Sequence, residues 1–319
     1  MSSKQFSVVV TCHNQRPFIR DAVESALSQP NYLREVIVVD DGSTDGSVEV
    51  LQEYADFLRL VVLPVNRGAI EARNRGAALA TGGYLVFLDG DDLLQPFALT
   101  VYDRVIVARH PEIIAAQPLY FEGAVPPRCG RMPGEVRFVQ YGHFMAKDRP
   151  WGLYASTWVV KRQGFQRVGG WSSGIFHLDL VDQATKLGHS GRAILIQSPR
   201  TALYRLHADN SIHNVPPFLR MMHQIIRKEL AGDYGGRQHR LERCAWLGGP
   251  ILFWIKRAVC VGLYGDALRL FFSGWWMIWL GAIRRMLLWF RRSPLESLAL
   301  GEGRGDAICK NPNKPVIAS

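Results

Sequence analysis

The stretch LVFLDGDDLL, residues 85–94, decides how this chain is read. A run of apolar residues, typical of a buried strand, passes directly into three carboxylates, Asp89, Asp91 and Asp92, packed into four positions. Carboxylates that close repel one another, and the arrangement persists most easily when a cation or polar ligand sits among them. Upstream the pattern recurs. Residues 6–11 (FSVVVT) are a β-branched run closing on Thr11, and residues 35–41 (EVIVVDD) close on Asp40 and Asp41. Between these runs Phe18, Ile19, Ala22, Val23, Ala26 and Leu27 repeat at helical spacing. GSTDGS supplies turn and N-cap chemistry for a helix carrying Val48, Leu51 and Tyr54, residues 58–64 read as a strand, and residues 69–80 as a helix. Strands alternating with helices predict an α/β fold with a mostly parallel sheet and right-handed crossovers. Ligands of such sheets bind at the carboxyl ends of the strands, so Thr11 and both acidic clusters are expected along one edge.

The rest of the chain is less regular. Residues 113–117, 156–162 and 192–197 read as strands, residues 126–134 as a loop, and a helical pattern starts with Phe218, Met221, Met222, Ile225 and Ile226. Residues 293–319, with Gly, Pro and little periodicity, read as a mobile tail. The expected organisation is a ligand-binding half over residues 1–115, a second half over 116–215, a helical, basic and Trp-rich segment over 216–292, and the tail.

A chain of 319 residues that is 48% hydrophobic is globular. Its net charge of +10 is concentrated: residues 237–292 hold ten Arg or Lys against Glu242 and Asp266, which leaves the remainder nearly neutral. That points to a local docking surface and away from the fold-wide basic groove of a nucleic-acid binder. Five scattered cysteines without a CxxC pair suggest neither a zinc site nor a disulfide framework, and fit a reducing compartment. The opening MSSKQFSVVV carries no signal-peptide pattern.

VVVTCHN, VVDDGSTDGS, NRGAIEARNRGAALATGGYLVFLDGDD and the later VGGW resemble glycosyltransferase family 2, over roughly residues 6–211. The resemblance implies a GT-A fold and an inverting, hexosyltransferase-type transfer from a nucleotide-diphospho-sugar, a UDP-sugar being favoured, in polysaccharide or glycoconjugate biosynthesis. It gives Thr11, Asp40, Asp41, Arg73 and Asp89 to the nucleotide. The DGDD acids correspond to the family's DXD motif, which implies Mn2+ or Mg2+ on Asp91 and Asp92, with His207 completing the site. Carboxylate-held metal suits the chemistry, because a departing nucleoside diphosphate develops negative charge. The acidic pair that usually supplies the base falls here on Phe176 and His177, so Asp179 stands first as base and His177 second. Asp182, one turn on, is expected to share the face of Asp179. Trp151, Trp158 and Trp171 bracket the expected acceptor region, Trp158 reading as core.

Six of the nine tryptophans lie between residues 246 and 289, among the basic residues. The longest uncharged run, residues 270–283, is shorter than the roughly 20 needed to span a bilayer. Tryptophan and arginine around an apolar face predict a helix lying on an anionic membrane surface, with the protein cytoplasmic and peripheral at the inner face of the cell membrane. A helical bundle packed on the catalytic domain and a dimer interface are the other readings. A sugar nucleotidyltransferase and a non-catalytic scaffold are the rival functions, although TCHNQRP lacks the glycine-rich basic loop of the former.

Overall fold

The computed structural model describes residues 5–126, 132–148, 152–207, 214–289 and 293–300. The β-branched runs form strands as expected. Strands β1 (Phe6–Cys12), β2 (Arg34–Asp40), β3 (Arg59–Val62) and β4 (Tyr84–Asp89) pair in parallel in the order β3-β2-β1-β4. Helices α1 (Ile19–Leu27), α2 (Ser47–Gln52) and α3 (Ala69–Leu79) make the connections. The register sets Thr11 opposite Asp89 and Cys12 opposite Asp40, so the polar strand ends meet along one edge.

Beyond β4 the sheet becomes mixed. After α4 (Ala98–Arg109), β6 (Ile113–Ala116) and β10 (Ala193–Ser198) run parallel to each other, while β9 (Trp158–Lys161) is wedged antiparallel between β4 and β6. Strand β8 (Glu135–Tyr141) lies antiparallel to β10. Beside this sheet, β5 (Leu93–Leu94), β7 (Leu119–Glu122) and β11 (Ala202–Leu206) form a small second one. Two residues of β5 are too short to carry a period, which is why this sheet was not anticipated.

Alternation along the central strands divides the core. Val9, Ile37, Val39, Leu85 and Phe87 face one layer; Val8, Val10, Val36, Val38, Val86 and Leu88 face the other. Both faces are covered, as parallel sheets require. Burying such a side chain contributes about 1.5–3 kcal/mol.

After α5 (Arg162–Arg167) and α6 (Asp179–Leu187), the chain ends in α7 (Val215–Ala231), α8 (Arg240–Cys260) and α9 (Tyr264–Trp289). Trp246, Trp254 and Leu270 belong to the same buried cluster as Phe144 and Trp158, so the helical extension packs on the sheet domain. Helices α8 and α9 touch through glycines: a Cβ on Gly281 would stand 2.7 Å from the Ala245 carbonyl oxygen. No helix among the described residues is long and apolar enough to cross a membrane. The α/β fold with a mostly parallel sheet and a C-terminal helical extension is thus the one expected. The tail needs correction: Glu296–Ala299 forms β12, paired antiparallel with β8. Its ladder bonds and the buried Leu300 fix a segment whose composition alone reads as loop. Residues 301–319 of the expected tail lie outside the described residues.

Candidate active site

A cavity of about 360 Å³ opens at the carboxyl ends of β1, β2 and β4. Thr11, Asp41, Arg73, Asp89, Asp91 and His207 line it, together with Cys12, Phe18 and Tyr204. The loop after β4 can lie there because residue 90 has no side chain; a Cβ on Gly90 would meet the Thr11 carbonyl oxygen at 2.8 Å.

Arg73, on α3, is the electrostatic hub. Its guanidinium donates to Asp89 Oδ1 at 2.6 Å and to Asp179 Oδ2, and lies 5.5 Å from the ring centre of Trp171. Burial alone would weaken its hold on the proton, but Asp89 and Asp179 outweigh burial and raise its pKa. Trp171, left open by the sequence, is buried and packs edge-on against Phe87, so it serves as a floor beneath Arg73. Trp158 is core as expected. Trp151 lies outside the described residues.

The acidic cluster divides into two kinds of carboxylate. Asp91 faces the cavity and pairs with His207 Nε2 at 2.9 Å. Burial raises its pKa, Asp89 adds to this, and the bond from His207 opposes it. Asp92 points away from the cavity. Its oxygens accept from Ser156 Oγ at 2.6 Å and from the Arg205 backbone N–H at 3.1 Å. Burial, then Asp91 and Asp89, push its pKa well above the usual carboxylate range. The expected metal role for Asp92 therefore does not fit its placement, because successive residues of the turn face different ways and Asp92 is turned toward Ser156 and the Arg205 N–H. Two oxygens of the remaining pair, from Asp89 and Asp91, and the His207 imidazole are a donor set that suits a divalent ion, and an ion there would offset the repulsion between Asp89 and Asp91.

The pair after β2 divides likewise. Asp41 lines the cavity and its oxygens accept from the backbone N–H groups of Arg67 and Gly68 at 2.7 and 2.6 Å, which fixes the entry to α3. Asp40 is fully buried, accepts from Ser43 N–H at 2.9 Å and Ser43 Oγ at 2.5 Å, and does not reach the cavity. A nucleotide contact from Asp40 does not fit that placement.

Asp179 stands in the first turn of α6, outside the cavity lining but joined to it through Arg73, which is the sole hydrogen-bond donor to it among the described residues. His177 is exposed, with positive φ, and its ring packs 4.8 Å from that of Phe218, away from the cavity lining. Asp182 does not share the face of Asp179. It is wholly buried and accepts from Ser172 Oγ, Lys228 Nζ and Tyr234 Oη at 2.6, 2.8 and 2.5 Å, tying α6 to α7.

Sequence reasoning missed Arg205. Its guanidinium donates to the Asp91 carbonyl at 3.0 Å and to Asp21 at 2.9 Å, between the rings of Phe18 and Phe121, each less than 5 Å away. It clamps the DGDD turn from behind, through contacts that span 114 residues and leave no local pattern. Tyr120 and Tyr154 pack on the cavity residue Tyr204 at 5.6 and 5.9 Å, extending an aromatic surface outward from the site.

Residues 7–126 match the family model described as Glycosyl transferase family 2. YibD of Escherichia coli strain K12, described as a glycosyltransferase, is 38% identical over 107 residues, covering 33% of this chain and 30% of that protein. TuaG of Bacillus subtilis strain 168, a glycosyltransferase whose name assigns it to teichuronic acid biosynthesis, is 43% identical over 89 residues, 27% of this chain and 35% of that protein. The matched stretch thus spans about a third of these relatives. Among solved structures, the 1–349 portion of S. aureus TarS in complex with UDP superposes with a TM-score of 0.61 at 18% identity, covering 77% of this chain and 70% of that one. The mannosyltransferase PcManGT from Pyrobaculum calidifontis, in complex with GDP-Man and Mn2+, superposes with a TM-score of 0.53 at 17% identity, covering 90% and 88%.

Proposed function

We propose that the protein, whose residues 7–126 match the model of glycosyltransferase family 2, transfers a sugar from a nucleotide-diphospho-sugar to a saccharide or lipid-linked acceptor, with inversion at the anomeric carbon and with a divalent cation. The convergence of Thr11, Asp41, Arg73, Asp89, Asp91 and His207 on one cavity carries this reading. Thr11 and Asp41 hold the base and ribose, and Arg73 orients Asp89 and the donor phosphates. The structural neighbours' complexes with UDP and with GDP-Man and Mn2+ support a nucleotide-bound donor, and a UDP-sugar is the favoured one.

The acceptor hydroxyl attacks the anomeric carbon as the bond from that carbon to the diphosphate oxygen breaks. Asp179 takes the hydroxyl proton, held in place by Arg73 through its other oxygen. Asp91, His207 and the second oxygen of Asp89 would hold Mn2+ or Mg2+, which would offset the charge growing on the departing diphosphate. Tyr120, Tyr154 and Tyr204 offer ring faces against which an acceptor sugar stacks.

The test is release of nucleoside diphosphate from UDP-sugars with Mn2+ and an acceptor extract. Asp91→Ala is expected to abolish release while circular dichroism stays unchanged, and Asp179→Asn to lower it about 10²–10⁴-fold with donor binding intact. Full release by Asp91→Ala, or pyrophosphate as product, refutes the assignment.

We further propose that α9 lies on an anionic membrane surface at the cytoplasmic side. Tyr264, Leu268, Phe271, Phe272, Trp275, Trp279, Ile283 and Met286 are all exposed. At about 100° per residue these positions fall within a third of the helix circumference, and the exposed Arg269 and Arg285 flank them. Phe272→Glu with Trp279→Glu is expected to abolish co-sedimentation with phosphatidylserine vesicles. Undiminished co-sedimentation overturns this placement.

A further inference from the structure

Outside the cavity, three side chains from distant parts of the chain converge where α6 ends and α8 begins. His143 stands before a short 3₁₀ turn (Phe144–Ala146), His189 follows the C-terminus of α6, and Glu242 lies in the first turn of α8. Their ligand atoms all lie within 4.8 Å of one another. Each imidazole presents Nε2 to a different oxygen of the one carboxylate, His189 at 2.9 Å from Oε2 and His143 at 3.8 Å from Oε1. None of the three lines the cavity, and α6 separates this cluster from Asp179 by roughly 12 Å of helix at 1.5 Å per residue.

Hydrogen bonding accounts for His189 but not for His143. At 3.8 Å its Nε2 is beyond a hydrogen bond to Glu242, and its Nδ1 is buried without a partner among the described residues. A half-buried ring whose Nδ1 is buried without a partner and whose Nε2 is aimed at a carboxylate beside a second imidazole lacks the species that would use all three groups. The two rings stack at 4.7 Å, which brings like groups together and gives a protonated pair no advantage.

We propose that His143, His189 and Glu242 form a zinc-binding site that joins the helical extension to the sheet domain. Two imidazoles and one carboxylate are a donor set zinc takes with a water in the fourth position. A tetrahedral ion with bonds of about 2.1 Å sets its ligand atoms roughly 3.4 Å apart, and three ligand atoms within 4.8 Å of one another reach that spacing by small side-chain shifts. His239, stacked on His189 at 4.2 Å, covers the site as a neighbouring ring. Arg284 is the nearby cation that opposes an ion here, since it feels the charge of Glu242, but its guanidinium is bonded to the carbonyls of Met145 and Lys147. Because the three ligands are separated by 46 and 53 residues, one ion would cross-link β8, α6 and α8 in a way that only the folded chain presents.

The experiment uses the full chain without a histidine tag, stripped with a chelator and titrated with zinc chloride by calorimetry. Metal content after gel filtration is measured in parallel. Asp91 and His207 also offer ligands, so the two sites are separated by variants. In Asp91→Asn, one equivalent of zinc is expected to remain, with a rise in melting temperature on its addition. His189→Gln and Glu242→Gln, each checked by circular dichroism, are expected to lose that equivalent and at least tenfold in affinity, along with the visible absorption of the cobalt-substituted site. Zinc uptake that is unchanged in both of these variants, or that disappears only in Asp91→Asn, or that is absent from the unaltered chain, overturns the proposal.

Discussion

Replacing Arg73 with Gln tests the arrangement on which the site depends. The arginine side chain is 8% exposed and its two acidic partners 29% and 13%. Removing one member of a buried ion pair costs about 3–5 kcal/mol, largely because a charge is left without compensation. Water reaches Asp89 more readily than Asp179, which puts the expected loss near the lower end, about 3 kcal/mol. Domains have about 5–15 kcal/mol of stability, so the variant remains folded. The decisive quantity is the coupling with Asp179. If the guanidinium holds that carboxylate, Asp179→Asn in the Arg73→Gln background removes a stranded charge and costs much less than it does alone. A coupling energy of about 1.5–2 kcal/mol is expected for such neighbours. Urea unfolding of the two single variants and the double variant, in chelator and followed by circular dichroism, measures it. Additivity within about 0.5 kcal/mol would show that the pair is not energetically joined and would remove the argument that Arg73 positions the base.

Two further outcomes follow from burial. Asp92→Asn is expected to keep Mn2+ affinity within about twofold and stability within about 1 kcal/mol, because an amide can bond both Ser156 and the Arg205 N–H without a buried charge; a loss of metal binding equal to that of Asp91→Ala would return Asp92 to the ligand set. The Cys12 thiol lies in the cavity wall, where burial and then Asp40 push its pKa up to about 12. At pH 8 about one molecule in ten thousand carries the thiolate, and alkylation should quicken about tenfold per pH unit. Peptide mapping after iodoacetamide is expected to find the exposed Cys260 modified and Cys12 intact, and equal labelling of the two contradicts this.

What the sequence conveyed was what local pattern can encode. Apolar, β-branched runs ending in polar residues located β1, β2 and β4, and a parallel sheet then requires those ends to meet, so Thr11, Asp41, Asp89 and Asp91 were legible as a group, with Arg73 added by the family resemblance. Orientation within a pair was not. Asp40 and Asp41, or Asp91 and Asp92, are equivalent as letters, and only the turn geometry and the donors on Ser43, Ser156 and Arg205 decide which carboxylate faces the cavity. Arg205 was invisible because its partners Asp21, Asp91 and Gly123 come from three distant segments. The short strands β5 and β12 owe their form to the ladders they complete, and a two-residue or four-residue span has too few positions to declare a period.

Strand β12 has a mechanical consequence. It returns the chain to the sheet after α8 and α9, so those helices are moored at both feet and cannot swivel about a single joint. If the outer helix rests on a membrane plane as proposed, this double mooring sets the height of the cavity mouth above that plane, and reach then becomes a filter that an acceptor meets before any side chain can judge its chemistry.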